Sequence, residues 1–474
     1  MPRNLEADLC VVGGGSAGLS VAAGASQMGA KTVLIEARKM GGDCLNYGCV
    51  PSKAILAAGH AAHTVRHAGQ FGVNGHEPNI DFGRVHDHIH EVIDAIAPLD
   101  SEERFEGLGV TVIRERASFS AVDEIEAGDA RIRARRFVLA TGSAPVAPPI
   151  PGLSETPYET NETVFDRKIA PDHLILIGGG PIGCELAQAH RRLGCAVTVL
   201  DMGPILPKDD PEATAVVRSQ LEADGITLRE RVQISSVARA GNGVAVILGG
   251  DNDGERIEGS DLLVAAGRAP QVEGLNLEIA GVEYDRKGIK VDNRLRTTNK
   301  KIFALGDAIG GLQFTHVASY HAGIVIRNAL FRLPAKVDYS AVPWVTYTDP
   351  ELAHVGLTED QAKKDGQTID VLRWPFKEND RAQAERQTDG LIKAVVGKGG
   401  RILGATIVGA HAGELILPWV MAVRQRQKIG AIANVIVPYP TYGEVSKRAA
   451  GSFYTPKLFS PRTRWLVQQL ARFG

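Results

Sequence analysis

The chain of 474 residues has almost no excess of either charge, with 53 basic residues against 55 acidic ones and a formal net charge of −2. That balance gives no electrostatic footprint for nucleic acid, nor for an anionic membrane acting on the molecule as a whole. Cysteine is scarce: Cys10, Cys44, Cys49, Cys184 and Cys195 are the only five. So small and odd a number excludes a secreted disulfide scaffold and favours a reducing compartment, where a disulfide is catalytic rather than structural. Long apolar runs are missing too. The nearest approach is the uncharged stretch from Leu9 to Ala30, but it is full of Gly and Ser and follows Glu6 and Asp8, where a signal peptide carries basic charge. A cytoplasmic protein without a membrane span is therefore expected. With 44% hydrophobic and 23% charged residues the composition is that of an ordinary globular protein. The length suggests about two to four domains.

Glycine is present in excess, 53 residues or about 11% against a usual ~7%. Without a collagen-like period, such an excess marks tight turns and backbone that comes close to a ligand. The glycines reveal an internal repeat. A strand-like run from Leu9 to Val12 leads into Gly13-Gly14-Gly15-Ser16-Ala17-Gly18; an Ala-rich helical stretch follows, and a second apolar strand ends on Glu36. The order recurs with Leu174 to Ile177, Gly178-Gly179-Gly180-Pro181-Ile182-Gly183, a helix, and a strand ending on Asp201. In both copies the acid stands 23 positions after the first glycine, 13 to 36 and 178 to 201. A lone GxGxxG matches many loops by chance. Framed by strand, helix and acid it is specific, because each part has a task. The glycines admit a tight turn and the close approach of a pyrophosphate to the helix N-terminus, and the acid accepts hydrogen bonds from ribose hydroxyls. Gly13, Gly15, Ser16, Ala17, Gly18 and Glu36 are thus candidate contacts of one dinucleotide. Gly178, Gly180, Ile182, Gly183 and Asp201 are candidate contacts of another, and the usual combination is FAD with a nicotinamide coenzyme. Asp201 welcomes free ribose hydroxyls and repels a 2′-phosphate, and no Arg follows closely, so NADH is expected over NADPH.

The segment Gly41-Gly42-Asp43-Cys44-Leu45-Asn46-Tyr47-Gly48-Cys49-Val50-Pro51-Ser52-Lys53 carries the chemistry. Regular helix would set the two cysteines ~7.5 Å apart along its axis. A disulfide spans roughly 4.4–6.8 Å between Cα atoms, so the pair needs an irregular turn, which Gly48 permits. A helix continuing from Pro51 would put both thiols at its positive end and favour a thiolate. Cys10, Cys184 and Cys195 are expected to be packing residues.

This segment resembles the active-site signature of the pyridine nucleotide–disulfide oxidoreductases, the family of dihydrolipoamide dehydrogenase, glutathione reductase and mercuric reductase. The resemblance runs on through Val138 to Ser143, the second glycine repeat with Glu185, Ala265-Ala266-Gly267-Arg268, and Ile302 to Asp307, and so covers essentially the whole chain. It implies an α/β fold with two Rossmann-type dinucleotide-binding domains and a C-terminal α+β dimerisation domain. FAD would bind a discontinuous domain of residues 1–152 and 272–342, NAD(P) would bind residues 153–271, and residues 343–474 would form the interface of an obligate homodimer. The implied activity is an FAD-dependent NAD(P)H oxidoreductase. It would pass electrons from NADH through FAD to a Cys44–Cys49 disulfide, and on to a small disulfide or dithiol of the lipoamide kind or to a soft metal ion. Cys49 matches the flavin-proximal thiol and Cys44 the interchange thiol, while Lys53, paired with Glu185, would stabilise the reduced flavin as a cation. Asp307 would contact the ribityl chain and Thr315 would lie near the flavin, with Gly42, Ala117, Thr141, Gly142, Ser143 and Gly267 as further cofactor contacts.

The chain also departs from the family pattern. Where many members have His-Pro-Thr-x-Ser-Glu, it reads Tyr439-Pro440-Thr441-Tyr442-Gly443-Glu444. The resemblance places Tyr439 and Glu444 in the catalytic set, reaching across to Cys44 of the partner subunit. Free Tyr titrates near ~10 and His near ~6.5, so a phenol is a poor proton shuttle at neutral pH. A Tyr here is similar to mercuric reductase, in which a phenol sits beside the metal. However, no Cys follows Cys195, so the C-terminal cysteine pair of that enzyme is missing. Pro181 stands where several relatives have a Tyr that covers the flavin, implying a more open nicotinamide pocket. The alternative reading is a flavin NADH oxidase or quinone reductase that bypasses the cysteines; a non-catalytic flavoprotein is a third. His60, His63, His67, His76, His86, His88 and His90 crowd one region and read as solvated helix faces more readily than as a chelate, so no metal site is assigned. The segment from Arg462 to Arg472 is short, basic and amphipathic. Packing at an interface is the expected role, with a membrane surface as the other option.

Overall fold

Residues 3–473 are described by the computed structural model and gather into two units. One comprises the chain up to Gly179 together with Ala189–Met202 and Arg229–Asp338. The other comprises Gly180–Gln188, Gly203–Leu228 and the chain from Tyr339 onward.

The first unit is built on a seven-stranded sheet. Its centre is β1 (Arg3–Val12), flanked in parallel by β2 (Thr32–Ile35) and by the strand Ala130–Leu139. Val110–Ile113 extends the sheet beyond β2, and Ile302–Ala304 returns to pair in parallel with Phe137 to Leu139. The last residues of β1, from Leu9 to Val12, are all buried, as a strand covered on both faces requires. Between β1 and β2 runs helix α1 (Ser16–Gln27), whose buried Ala17, Leu19, Val21, Ala22 and Ala25 lie on the sheet. This is the βαβ unit that the glycine pattern predicts. A second parallel sheet repeats it, with His173–Ile177 between Ala196–Leu200 and Asp261–Val264. The chain crosses out and back on a short antiparallel pair, Ser143–Pro145 with Arg268–Pro270.

In the second unit, five antiparallel strands are ordered Pro343–Thr346, Glu351–Gly356, Arg401–Gly409, Leu391–Gly397 and Asp370–Pro375. Helices Leu417–Arg424 and Glu444–Ser452 belong to the core of this sheet, where the Trp419 indole N–H donates to Ser446 Oγ at 3.0 Å. Lys393 is buried in the same unit and meets three carboxylates, Asp210 at 2.8 Å, Glu359 at 2.8 Å and Glu212 at 3.0 Å. The α/β class with a C-terminal α+β part is as the sequence implies. Among the described residues no helix is long and apolar enough to cross a membrane.

Candidate active site

The first glycine loop is shaped by close backbone approach. Gly13 has φ of +109°, and a Cβ there would run into the carbonyl of Ala140. The Gly13 N–H donates to Ile35 O at 2.8 Å and Ala140 N–H to Val12 O at 2.8 Å, which pins the loop across the ends of three strands. Glu36, at the tip of β2, accepts from Gly14 N–H at 2.5 Å and from Arg38 N–H at 2.5 Å. Its carboxylate is thereby fixed beside the loop, where a ribose would lie. Ser16, Ala17 and Gly18 open α1, so the helix N-terminus faces the same place. These residues fit a dinucleotide.

The second loop copies the first. Gly178 has φ of +118°, and a Cβ on it would stand 2.5 Å from Ala265 O. Its N–H donates to Leu200 O at 2.9 Å, and Asp201 accepts from Gly179 N–H at 2.6 Å. Gly180 precedes the helix Pro181–Arg192, within which lie Ile182, Gly183 and Glu185. Glu185 is buried and accepts from Tyr347 N–H at 2.9 Å.

The cysteine segment docks on the first loop. Gly41 N–H donates to Gly14 O at 2.9 Å, and a Cβ on Gly42, where φ is +62°, would sit 2.6 Å from Gly15 Cα. Cys44 lies in the short helix α2 (Gly42–Asn46), which stops at Tyr47. Helix α3 (Cys49–His67) then starts afresh from Gly48, whose φ of −127° and ψ of −112° make the break. Helix α3 begins two residues earlier than Pro51, so Cys49 itself is its first residue. Pro51 is accommodated in the first turn, where no N–H is needed.

Both thiols are free, and their environments differ. The thiol of Cys49 is lowered to about 6, chiefly because it accepts a hydrogen bond from Cys44. The Thr315 hydroxyl, 3.4 Å from its Sγ, and the positive charge of Lys53 act in the same direction, against burial and Asp43. Thr315 opens the helix Thr315–Ala329, so the first residues of two helices converge on this sulfur. Cys44 is pushed well up by its hydrogen bond to Cys49 and by burial, although the hydroxyls of Thr315 and Ser16 oppose the shift. The reduced pair is therefore one thiolate, on Cys49, and one thiol. Cys10, Cys184 and Cys195 are buried, and desolvation raises the Cys195 thiol to about 11. They are packing residues, as expected.

A polar chain ties this loop to more distant residues. Asp43 pairs with the Arg268 guanidinium at 2.9 Å; Arg268 donates to Ser143 Oγ at 2.9 Å, and Ser143 donates to Asp307 Oδ2 at 2.6 Å. Burial raises the Asp307 carboxyl and the Ser143 hydrogen bond lowers it. Thr141 Oγ1 donates to Gln271 O at 2.5 Å, Gln271 N–H donates to Gly142 O at 2.9 Å, and the Gly267 carbonyl accepts from Val146 N–H at 3.1 Å. Ala117 begins the strand Ala117–Ala121 and is buried. Asp43 and Arg268 join the site through contacts that no sequence motif marks, although both lie inside the Gly41–Lys53 and Ala265–Arg268 segments.

In the second unit, the Tyr439 hydroxyl is exposed and donates to Asp380 Oδ2 at 2.8 Å, rather than to Glu444. Asp380 raises the phenol above its usual value, and Glu444, at the start of the helix Glu444–Ser452, adds to the effect. Asp380 also escaped the sequence reading. Of the histidines, the rings of His63 and His67 stack at 4.0 Å and those of His86 and His90 lie 4.2 Å apart. Among the described residues no group of three or more His, Cys, Asp and Glu side chains could hold a metal ion.

Comparison with known proteins bears on this geometry. Residues 7–322 match the family described as pyridine nucleotide-disulphide oxidoreductase, and residues 342–450 match its dimerisation domain. A mercuric reductase from Streptomyces lividans is 34% identical over 454 residues, spanning 94% of this chain and 96% of the relative. A dihydrolipoyl dehydrogenase from Geobacillus stearothermophilus is 33% identical over 453 residues, spanning 94% and 96%. Among solved structures, the Cu(II) complex of the HOCl-induced flavoprotein disulfide reductase RclA from Escherichia coli superposes with a TM-score of 0.83 at 27% identity, covering 93% of this chain and 98% of that one. LpdA from Mycobacterium tuberculosis gives 0.86 at 27% identity, covering 95% and 99%.

Proposed function

The chain belongs to the pyridine nucleotide-disulphide oxidoreductases, which use FAD and a pyridine nucleotide, and on that footing we propose that Cys44 and Cys49 are its redox-active pair. Bound FAD supplies the step between a two-electron hydride donor and the cysteines. With FAD in place, the hydride equivalent of NADH would break the disulfide to give NAD+, the Cys44 thiol and the Cys49 thiolate, with no further proton taken up. The observation that carries this reading is the Cys49 sulfur, stabilised by Cys44, Thr315 and Lys53 at the convergence of two helix starts. Cys44 keeps its proton, and as the interchange thiol it meets the acceptor. Glu36 and the Gly13–Gly18 loop hold the flavin nucleotide, with Gly42, Ala117, Thr141, Gly142, Ser143, Gly267 and Asp307 as further contacts. Gly178, Gly180, Ile182, Gly183 and Asp201 hold NADH in preference to NADPH. Lys53 supplies the cation that steadies the reduced flavin, and Glu185 is the carboxylate of the same catalytic set.

The acceptor is a soft metal ion presented as a thiolate complex. Tyr439 supports this choice, because its proton is committed to Asp380 and its phenol is driven up, away from neutral pH. Such a group suits a neutral oxygen beside a metal and suits poorly the proton transfers of dithiol oxidation. A small lipoamide-like disulfide is the second reading, favoured by the 33% identity to a dihydrolipoyl dehydrogenase over 453 residues. The working form is a cytoplasmic homodimer in which Tyr439 and Glu444 face the partner's Cys44. Leu417, Met421, Val435 and Ile436 are exposed within the dimerisation domain, Ile436 by 97%, and supply apolar surface for it.

The test is NADH consumption by the FAD-loaded protein with Cu(II) or Hg(II) in excess thiol and, separately, with lipoamide. Metal-dependent turnover that falls to background in Cys44→Ser is expected. Fast lipoamide turnover would select the second reading, and quinone-dependent turnover untouched by Cys44→Ser would return the protein to a cysteine-independent oxidase. Asp380→Asn should move the pH profile of metal turnover while leaving NADH-to-flavin reduction unchanged.

A further inference from the structure

The last turns of the chain lie beyond the family's dimerisation domain, which ends at residue 450. There Ser460 caps a new helix by accepting from Thr463 N–H at 3.2 Å, Pro461 takes its first position, and the helix runs Pro461–Leu470. It buries no side chain. Leu466 and Leu470 stand one turn apart on one face, flanked by Trp465, which is 59% exposed, and followed by Phe473, which is 87% exposed. Arg464 and Gln468 stand four residues apart on the opposite side, Arg462 lies one turn before Leu466 at the start of the helix, and Arg472 follows just past its end at Leu470. An isolated ten-residue helix with an unburied apolar face is marginal in water, so something must cover it.

Charge identifies the cover. No acidic residue follows Glu444, whereas Lys447, Arg448, Lys457, Arg462, Arg464 and Arg472 are all basic. The whole chain has a net charge of only −2, so this cationic end is a local feature set against a nearly neutral body. A second copy of the same helix would meet it with like charge, and the exposed apolar residues of the dimerisation domain already provide a surface for self-association. We propose that the C-terminal helix is a peripheral anchor that lies in the interface of an anionic lipid bilayer, with Trp465, Leu466 and Leu470 in the acyl boundary and the arginines at the phosphates. A short apolar face with flanking cations, Trp at the boundary and low net hydrophobicity is the pattern of such helices. In a dimer two helices bind together, which multiplies a weak single contact.

The experiment is co-sedimentation of the full-length, FAD-loaded protein with phosphatidylcholine vesicles that contain or lack phosphatidylglycerol. Binding only to the phosphatidylglycerol vesicles, reduced by added salt, is expected. The triple variant Arg462→Gln/Arg464→Gln/Arg472→Gln should bind more weakly by at least roughly a hundredfold, the loss for one helix at about fivefold per cation. A vesicle-induced blue shift of tryptophan fluorescence should vanish in Trp465→Phe. All four replaced residues are exposed or partly exposed at the chain end, so flavin content should be unchanged and reports that the fold is intact. Absence of wild-type binding, or binding that survives the triple replacement, overturns the proposal. So does a change of oligomeric state in the triple variant without vesicle binding, which would give the helix to a second copy.

Discussion

The two glycine loops have the same backbone hydrogen bonds and differ in what lies over them. Gly14 and Gly179 donate to their respective acids, Glu36 and Asp201, in the same way, and the first glycine of each loop abuts a returning strand end. Over the first loop, however, sit Gly41 and Gly42, and the hydroxyl of Ser16 reaches Cys44. A Cβ on Gly180 would meet open space. One motif thus occurs in two settings, the first roofed by the redox segment and the second without such a roof at Gly180; in the proposed function the first would retain a flavin and the second would exchange a soluble coenzyme.

The sharpest way to break this symmetry is to add one methyl group to each loop. A Cβ on Gly18 would collide with the Gly13 carbonyl, so Gly18→Ala should yield protein without flavin absorbance. Gly180→Ala should keep its flavin and lose NADH affinity alone, because only the close approach of the second pyrophosphate is obstructed. Loss of flavin from both variants would deny the assignment of the loops. A smaller effect is expected at Asp201. Removing its charge in Asp201→Asn should cut the NADH to NADPH preference by about tenfold, the worth of one charge-assisted hydrogen bond, as read from the ratio of kcat/KM values.

The smallest effects concern the thiolate beneath the first loop. A thiolate absorbance that titrates near pH 6 is expected in the reduced protein and should be absent from Cys49→Ser. Thr315→Ala should move that midpoint up and Asp43→Asn should move it down, since one group stabilises the anion and the other opposes it. The folded value lies below that of a free thiol, ~8.5. The stabilising contribution of Cys49 to the reduced protein is therefore complete above that value and is lost as the pH falls through about 6. A midpoint near 8.5 in the wild type would remove the reason for assigning the thiolate to Cys49.

What could be read in the sequence was what is local along the chain. Strand, glycines, helix and acid follow one another within 28 residues in each repeat, Leu9 to Glu36 and Leu174 to Asp201, so both loops and their acids are legible. So is the cysteine pair, because Gly48 announces the break that two adjoining helices require. The helix continuing from Pro51 is α3, and its start at Cys49 leaves that thiol at the positive end as the sequence implied. Side-chain partners brought together by the fold are another matter. Cys49 and Thr315 are 266 positions apart, Ser143 and Asp307 are 164 apart, and Tyr439 and Asp380 are 59 apart. Resemblance to a family supplied the first two pairs of positions individually, but not their contacts. It could not supply Asp380, because that carboxylate matters only beside a Tyr that departs from the family pattern. The buried Lys393 with its three carboxylates was equally invisible, as nothing in a strand of apolar residues marks one lysine for burial.

The central claim is that Cys44 and Cys49 accept electrons from the flavin. Anaerobic titration of the FAD-loaded protein with NADH tests it most directly. The account predicts that the wild type takes up one electron pair for the flavin and a second for the disulfide, and that Cys44→Ser takes up only the first. Equal uptake of a single pair by both proteins would contradict it.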